Sequence, residues 1–154
     1  MVSAPGYLVD TNILLRISRQ DDVRQKTVEA ALMALEAKRS PLYYSIQNVA
    51  EFWNVCTRPV DRNGYGLSIA EANRGVLAIE HRMTYLPDSE QVYAIWRQLV
   101  IDHNVRGVQV HDARLAAIMQ AYGLNHILTL NQQDFLRYPG IQAVHPNQIQ
   151  TSPR

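Results

Sequence analysis

Cysteine is all but missing from this chain of 154 residues, in which Cys56 stands alone. No disulfide can close within it, and no cysteine-built zinc site can form. A metal site here must use oxygen or imidazole ligands. The histidines (His81, His103, His111, His126 and His145) show no His-x-x-x-His spacing, which removes the commonest helical imidazole pair. An excess of charge is missing too. The formal net charge is +1, so composition alone marks no nucleic-acid binder. Lysine is scarce: Lys26 and Lys38 are the only two among 15 basic residues, and the others are arginine. The planar guanidinium of arginine suits bidentate phosphate contacts. No apolar run approaches the ~20 residues of a membrane span, so no membrane association is expected. Residues 1–6 carry no charged stretch followed by an apolar one, and no secretion signal is expected. With the lone cysteine, that reads as a cytoplasmic protein.

What is present suits a globular protein. Apolar residues make up 47% of the chain, and the length allows one sizeable core. We expect a single domain over residues 1–147 and a polar, frayed tail over 148–154. Tyr7-Leu8-Val9 reads as a buried strand ending at Asp10. Thr11 or Asn12 can cap the helix that follows. Asp21 and Asp22 open a longer helix to about Arg39, with Val28, Ala31, Leu32 and Leu35 at helical spacing. Pro41 breaks it, and Leu42-Tyr43-Tyr44 reads as a second strand. Residues 46–57 form a helix with Ile46, Val49, Ala50 and Trp53 on one stripe. Ser68 starts the next helix, whose inward face is Ile69, Ala72, Val76 and Ile79. Residues 83–86 are a third strand, and Asp88 or Ser89 caps a helix carrying Val92, Ile95, Trp96 and Leu99. Asp112 opens a helix that stops near Gly123. Residues 127–130 are a strand, 131–135 a short helical turn and 141–144 a last strand. Strands alternating with helices imply an α/β fold with a parallel sheet covered on both faces. Sites in such sheets form at the carboxyl ends of the strands.

Four acids fall where that rule puts a site. Asp10 directly follows the first strand; a cap does not need it, since Thr11 and Asn12 can do that job. Glu51 sits among Val49, Ala50, Phe52 and Trp53, at the margin of the apolar stripe. A carboxylate drawn into apolar surroundings needs a basic partner, a proton or a metal. Asp112 begins a helix, where an acid is favourable by capping and by the helix dipole alone. Asp134 lies three residues after Asn131, an arrangement that also suits a capping box. The joint pattern says more than its parts. Glu51 and Asp112 fall in the first turns of helices that begin on the same side of the sheet, and Asp10 and Asn131 follow strands. Two unit charges 4 Å apart interact by about 4 kcal/mol at an effective dielectric of 20. Four gathered carboxylates therefore call for a cation, and all-oxygen ligation suits Mg²⁺ or Mn²⁺.

These stretches resemble the PIN-domain nucleases, and among them the VapC-type toxins of bacterial toxin–antitoxin pairs. The likeness is carried by Tyr7-Leu8-Val9-Asp10-Thr11-Asn12-Ile13-Leu14, by residues 45–53 around Glu51, by His111-Asp112-Ala113-Arg114-Leu115-Ala116-Ala117 and by residues 127–135. With the alternating elements it covers nearly the whole chain. It implies a three-layer α/β/α sandwich and a metal-dependent endoribonuclease using Mg²⁺ or Mn²⁺. Asp10, Glu51 and Asp112 match the family's three most regular acids. Asp10 and Asp112 then hold the principal cation, Glu51 holds it or a water, and Asp134 orients water or a second ion. Thr11 and Asn12 stand beside the first acid, with Asn12 matching its polar support. Ser45 matches the serine that often precedes the helix of the second acid. Many members carry a further acid where Asn131 stands, and Asn131 brings hydrogen bonds without charge. The resemblance also implies RNA as substrate, a cognate antitoxin and a homodimer. Arg16, Arg58, Arg106 and Arg114 are the candidates for gripping the RNA backbone.

Other readings are weaker. A haloacid-dehalogenase-type phosphatase needs an acid two residues after Asp10, and Asn12 stands there. A response-regulator receiver needs a late lysine, and the last one is Lys38. The rival of another kind is a catalytically inactive PIN-like module that binds RNA or protein. His111 reads as a loop histidine and Cys56 as a small apolar residue.

Overall fold

The structure is a computed structural model that describes residues 3–19 and 22–149. Five strands form one sheet: β1 (Tyr7–Val9), β2 (Leu42–Ser45), β3 (Thr84–Leu86), β4 (His126–Leu128) and β5 (Gln142–Val144). Their order is β3-β2-β1-β4-β5, and each adjacent pair is parallel. The α-helices among the described residues are α1 (Thr11–Ile17), α2 (Gln25–Ala37), α3 (Ile46–Thr57), α4 (Ile69–Arg82), α5 (Glu90–Asp102) and α6 (Val110–Ala121). Side chains alternate across a strand, and the two faces sort accordingly. Tyr7, Val9, Leu42, Tyr44 and Leu128 meet α1 to α4 on one side. Leu8 and Ile127 meet α5 and α6 on the other. This is the three-layer α/β/α sandwich.

The strand order reverses at β1. The chain leaves β1 first toward β2 and β3, then returns to place β4 on its other side. The carboxyl ends of β1 and β4 therefore flank the switch point, where open parallel sheets leave a crevice. Register puts Val9 beside Leu128, so Asp10 and Thr129 emerge side by side.

Local chemistry accounts for most boundaries. The Ser45 hydroxyl accepts from the Asn48 amide and caps α3, and Ser68 and Ser89 cap α4 and α5 in the same way. Beyond α3 the chain folds back tightly: Gly66 N donates to Arg58 O, and Tyr65 N to Val55 O. A Cβ on Gly64 would lie 1.9 Å from Arg58 O, so only glycine fits there.

Several expected details are corrected. Asp10, not Thr11 or Asn12, is the N-cap of α1. Helix α2 starts at Gln25, after Asp22; Asp21 lies outside the described residues. The buried face of α3 is Gln47, Asn48, Phe52 and Cys56, while Ile46 is exposed and Val49 and Trp53 are only partly covered. That helix buries polar side chains at its start because they are bonded to one another, and periodicity of apolar residues alone misses such a face. Ile69 of α4 likewise points to solvent. Glu51 sits in the second turn of α3, and α6 begins at Val110, which puts Asp112 inside its first turn rather than at its cap. Asn131 makes no side-chain cap bond to the turn at Gln132–Phe135. The expected tail is held at its beginning: Gln148 Oε1 accepts from His145 N and Gln132 Nε2, and Ile149 packs on the core. Residues 150–154 lie outside the described residues.

Candidate active site

Asp10 leaves the end of β1 and is 9% exposed. Its Oδ1 accepts from Thr11 N at 2.8 Å, and its Oδ2 from Thr129 Oγ1 at 2.8 Å. Asn12 Nδ2 adds a longer contact to Oδ2 at 3.4 Å. Asn12 Oδ1 in turn accepts from Leu130 N, and Asn131 N donates to Thr129 Oγ1. Thr129 thus gives its one proton to Asp10 and uses its lone pairs to hold the backbone turn after β4. Burial raises the Asp10 carboxyl to about 6; the bonds from Thr129 and Thr11 pull it back down, and the charges of Glu51 and Asp134 push it up.

Glu51 reaches the same place from α3. Thr11 Oγ1 donates to its Oε2 at 3.0 Å, and Gln47 Nε2 donates to its Oε1 at 3.1 Å. Gln47 Nε2 also donates to His111 O at 2.9 Å. One buried amide therefore ties Glu51 to the backbone just before Asp112. Behind it, Asn48 Oδ1 accepts from Ser45 N and Ser45 Oγ, and Asn48 Nδ2 donates to Thr11 Oγ1. Ser45 acts here as cap and as anchor for Asn48, at one remove from the acids.

Asp112 enters from the first turn of α6, whose Val110 O accepts from Trp96 Nε1 at 3.0 Å. Its carboxyl is raised to about 7, first by burial, then by the charges of Asp134, Asp10 and Glu51, with Arg137 opposing. Asp134 stands exposed at the rim. All four acids, with Thr11, Asn12, Asn54 and Asn131, line one cleft of about 330 Å³. The expected constellation is brought together. The expected arginines are not among its lining residues. Arg16 Nη1 pairs with Asp22 at 2.8 Å, Arg58 Nη2 donates to Asn63 O, Arg114 pairs with Asp88, and Arg106 is exposed in the loop before α6.

Sequence reading missed three participants. Gln47 lies one helical turn before Glu51, a spacing that places the two side chains together. Thr129 follows β4 as Asp10 follows β1. Arg137 lies three residues beyond Asp134 and is the cation whose charge reaches Asp112.

The donor chemistry fits a hard divalent cation. Every charged group lining the cleft is a carboxylate, and neutral oxygens stand beside them. Two of the acids carry pKa values raised first by burial and then by the like charges around them, a cost that a cation offsets. Among the described residues, no group of three or more acidic, histidine or cysteine side chains is already set to hold an ion. The acids surround the cleft without closing on one point.

An α/β/α sandwich with an acid-lined cleft at its switch point is the class that fold and site define. Within it, the family model of the PIN domain matches residues 7–141. The chain belongs to the PIN-domain family, a family of nucleases. Its fold is similar to VapBC-1 from nontypeable Haemophilus influenzae, with TM-score 0.68 and 17% identity over 92% of this chain and 98% of that one. It is similar to a toxin–antitoxin complex from Klebsiella pneumoniae, with TM-score 0.62 and 22% identity over 92% and 98%. It is also similar to Mycobacterium tuberculosis VapC20, described as a sarcin-ricin loop cleaving toxin, with TM-score 0.59 and 17% identity over 79% and 87%. A comparison with curated protein sequences gives no match. No helix among the described residues is long and apolar enough to cross a membrane.

Proposed function

We propose that this chain is a divalent-cation-dependent endoribonuclease and the toxin of a toxin–antitoxin pair. The observation that carries the reading is the cleft at the switch point, lined by Asp10, Glu51, Asp112 and Asp134. Family membership supports nuclease chemistry. The toxin–antitoxin complex and the sarcin-ricin loop cleaving toxin among the similar structures support the partner and the substrate. Asp10 and Asp112 are the principal ligands for Mg²⁺ or Mn²⁺, with Glu51 beside them. Such an ion, when bound, withdraws charge from the phosphodiester and makes a nearby water more acidic. Asp10 is presented in one orientation by its bonds to Thr11 and Thr129. Glu51, held at both oxygens by Thr11 and Gln47, has one orientation in which to receive a water proton. Asp134 at the rim orients water on the solvent side. In hydrolysis the water oxygen bonds to phosphorus while the bond to the leaving sugar oxygen breaks and that oxygen takes a proton. A homodimer in the cytoplasm, silenced by a small antitoxin over the acidic cleft, completes the reading.

The test is cleavage of RNA by purified protein with Mn²⁺, with Mg²⁺ and with EDTA, alongside Mn²⁺ binding by calorimetry. We expect cleavage with either ion, none with EDTA, and measurable Mn²⁺ uptake that Asp10→Asn reduces. Absence of both uptake and cleavage would favour the inactive binding module.

A further inference from the structure

Beside the acidic cleft lies a second cavity of opposite chemistry, about 400 Å³ in volume. It is lined by Arg24, Thr27, Asn131, His145 and Asn147 among its polar residues, and no carboxylate lines it. Each of these side chains offers a donor. His145 Nδ1 accepts from Asn147 N at 3.2 Å, so in the neutral ring the proton sits on Nε2. The Arg24 guanidinium is exposed, and no described side chain pairs with it. The acid nearest in sequence among the described residues, Asp22, is engaged by Arg16 Nη1 at 2.8 Å and by Arg24 N at 2.7 Å. Asn131 belongs to the walls of both cavities. It lies three residues beyond the end of β4, held by the bond from its amide to Thr129 Oγ1.

We infer that this cavity is an anion subsite that receives a backbone phosphate next to the scissile one, with Asn131 as the divider between them. The inference rests on the proposed nuclease reading. A carboxylate cleft repels the phosphodiester chain unless cations intervene, so its grip on the chain must come from flanking donors. A pocket of neutral donors, with an exposed arginine that no described side chain pairs, meets that need. The lack of charge at Asn131 then has a reason, since an aspartate there would face the entering phosphate.

The experiment measures binding of a short mixed-sequence single-stranded RNA in EDTA, across a salt series, and its cleavage in Mn²⁺. Arg24→Ala should weaken binding about tenfold and lower the salt slope by about 1, with partial recovery in Arg24→Lys. An RNA with one uncharged methylphosphonate linkage beside the cut should lose a similar factor with the unaltered protein and little with Arg24→Ala. Asn131→Asp should weaken binding in EDTA as well. If the unaltered protein cleaves RNA while Arg24→Ala binds equally well with the same salt slope, the subsite is wrong and the nuclease reading stands. If binding depends on Arg24 but Mn²⁺ elicits no cleavage, the cavity still holds a backbone phosphate, while the nuclease reading and the scissile neighbour fall together. A protein that neither binds nor cleaves RNA overturns both.

Discussion

Asp10 is nearly out of water, with donors at both oxygens and three acids near it. A carboxylate so placed lowers its free energy by taking up a proton or by binding a cation. Without a cation the sign is fixed. Asp10 near 6 and Asp112 near 7 both lie above their ordinary 3.8, so the folded protein holds more protons than the unfolded chain between about pH 4 and pH 7. Their contribution to stability is present below pH 4 and is lost as pH rises through the folded values. Denaturant unfolding in EDTA should show the unaltered protein losing stability over that window relative to Asp112→Asn. Equal pH dependence in the two would refute the assignment. Gln47 makes a second prediction at this scale. Gln47→Leu removes the bonds to Glu51 and to His111 O together. Outer-shell changes of this kind cost about 10- to 100-fold in activity or metal affinity. We expect that loss in kcat and in Mn²⁺ affinity, with KM for RNA little changed, read by steady-state kinetics and calorimetry. The gathering of the acids was legible in the sequence because Asp10 directly follows a strand and the helices of Glu51 and Asp112 begin on the same side of the sheet. Gln47 and Thr129 were not, since an amide or hydroxyl becomes functional only through partners far along the chain: His111 for the one, Asp10 for the other.

At the scale of elements, the site depends on how α1, α3 and α6 meet the sheet ends. Short buried strands after Gly or Pro, and helices begun by Ser45, Ser68 and Ser89, were readable from local chemistry. Boundaries shifted where a side chain did two jobs. Asp10 is at once the cap of α1 and a member of the cleft, while the Thr11 hydroxyl is taken up by Glu51 and Asn48. Helix α6 starts two residues before Asp112, continuing the 3₁₀ turn at Gly107–Gln109, and Gln47 and Trp96 bond the carbonyls of His111 and Val110 in its first turn. Two changes away from the cleft test the element-level account. Ser68→Ala removes the hydroxyl half of the exposed capping box at α4, leaving the bond from the residue 68 amide to Glu71, and should cost about 1 kcal/mol without altering cleavage. Gly64→Ala forces a Cβ onto Arg58 O and should cost more than about 2 kcal/mol. Thermal unfolding measures both, and a neutral Gly64→Ala would contradict the tight return after α3.

For the whole molecule, the α/β class followed from alternation of strand and helix, and the three layers came with the family resemblance. The strand order did not follow from local pattern, because adjacency of β1 and β4 depends on contacts more than a hundred residues apart in sequence. That order sets the site: it puts Asp10 and Thr129 side by side and brings α3 and α6 to the same edge. We propose that the four acids at this edge form one cation-dependent phosphodiesterase centre. Its most direct test is RNA cleavage in Mn²⁺ by the unaltered protein, Asp10→Asn and Asp112→Asn, each checked for folding by circular dichroism. A loss of about a hundredfold or more is expected in each variant with the fold intact. Cleavage undiminished in either variant would contradict it.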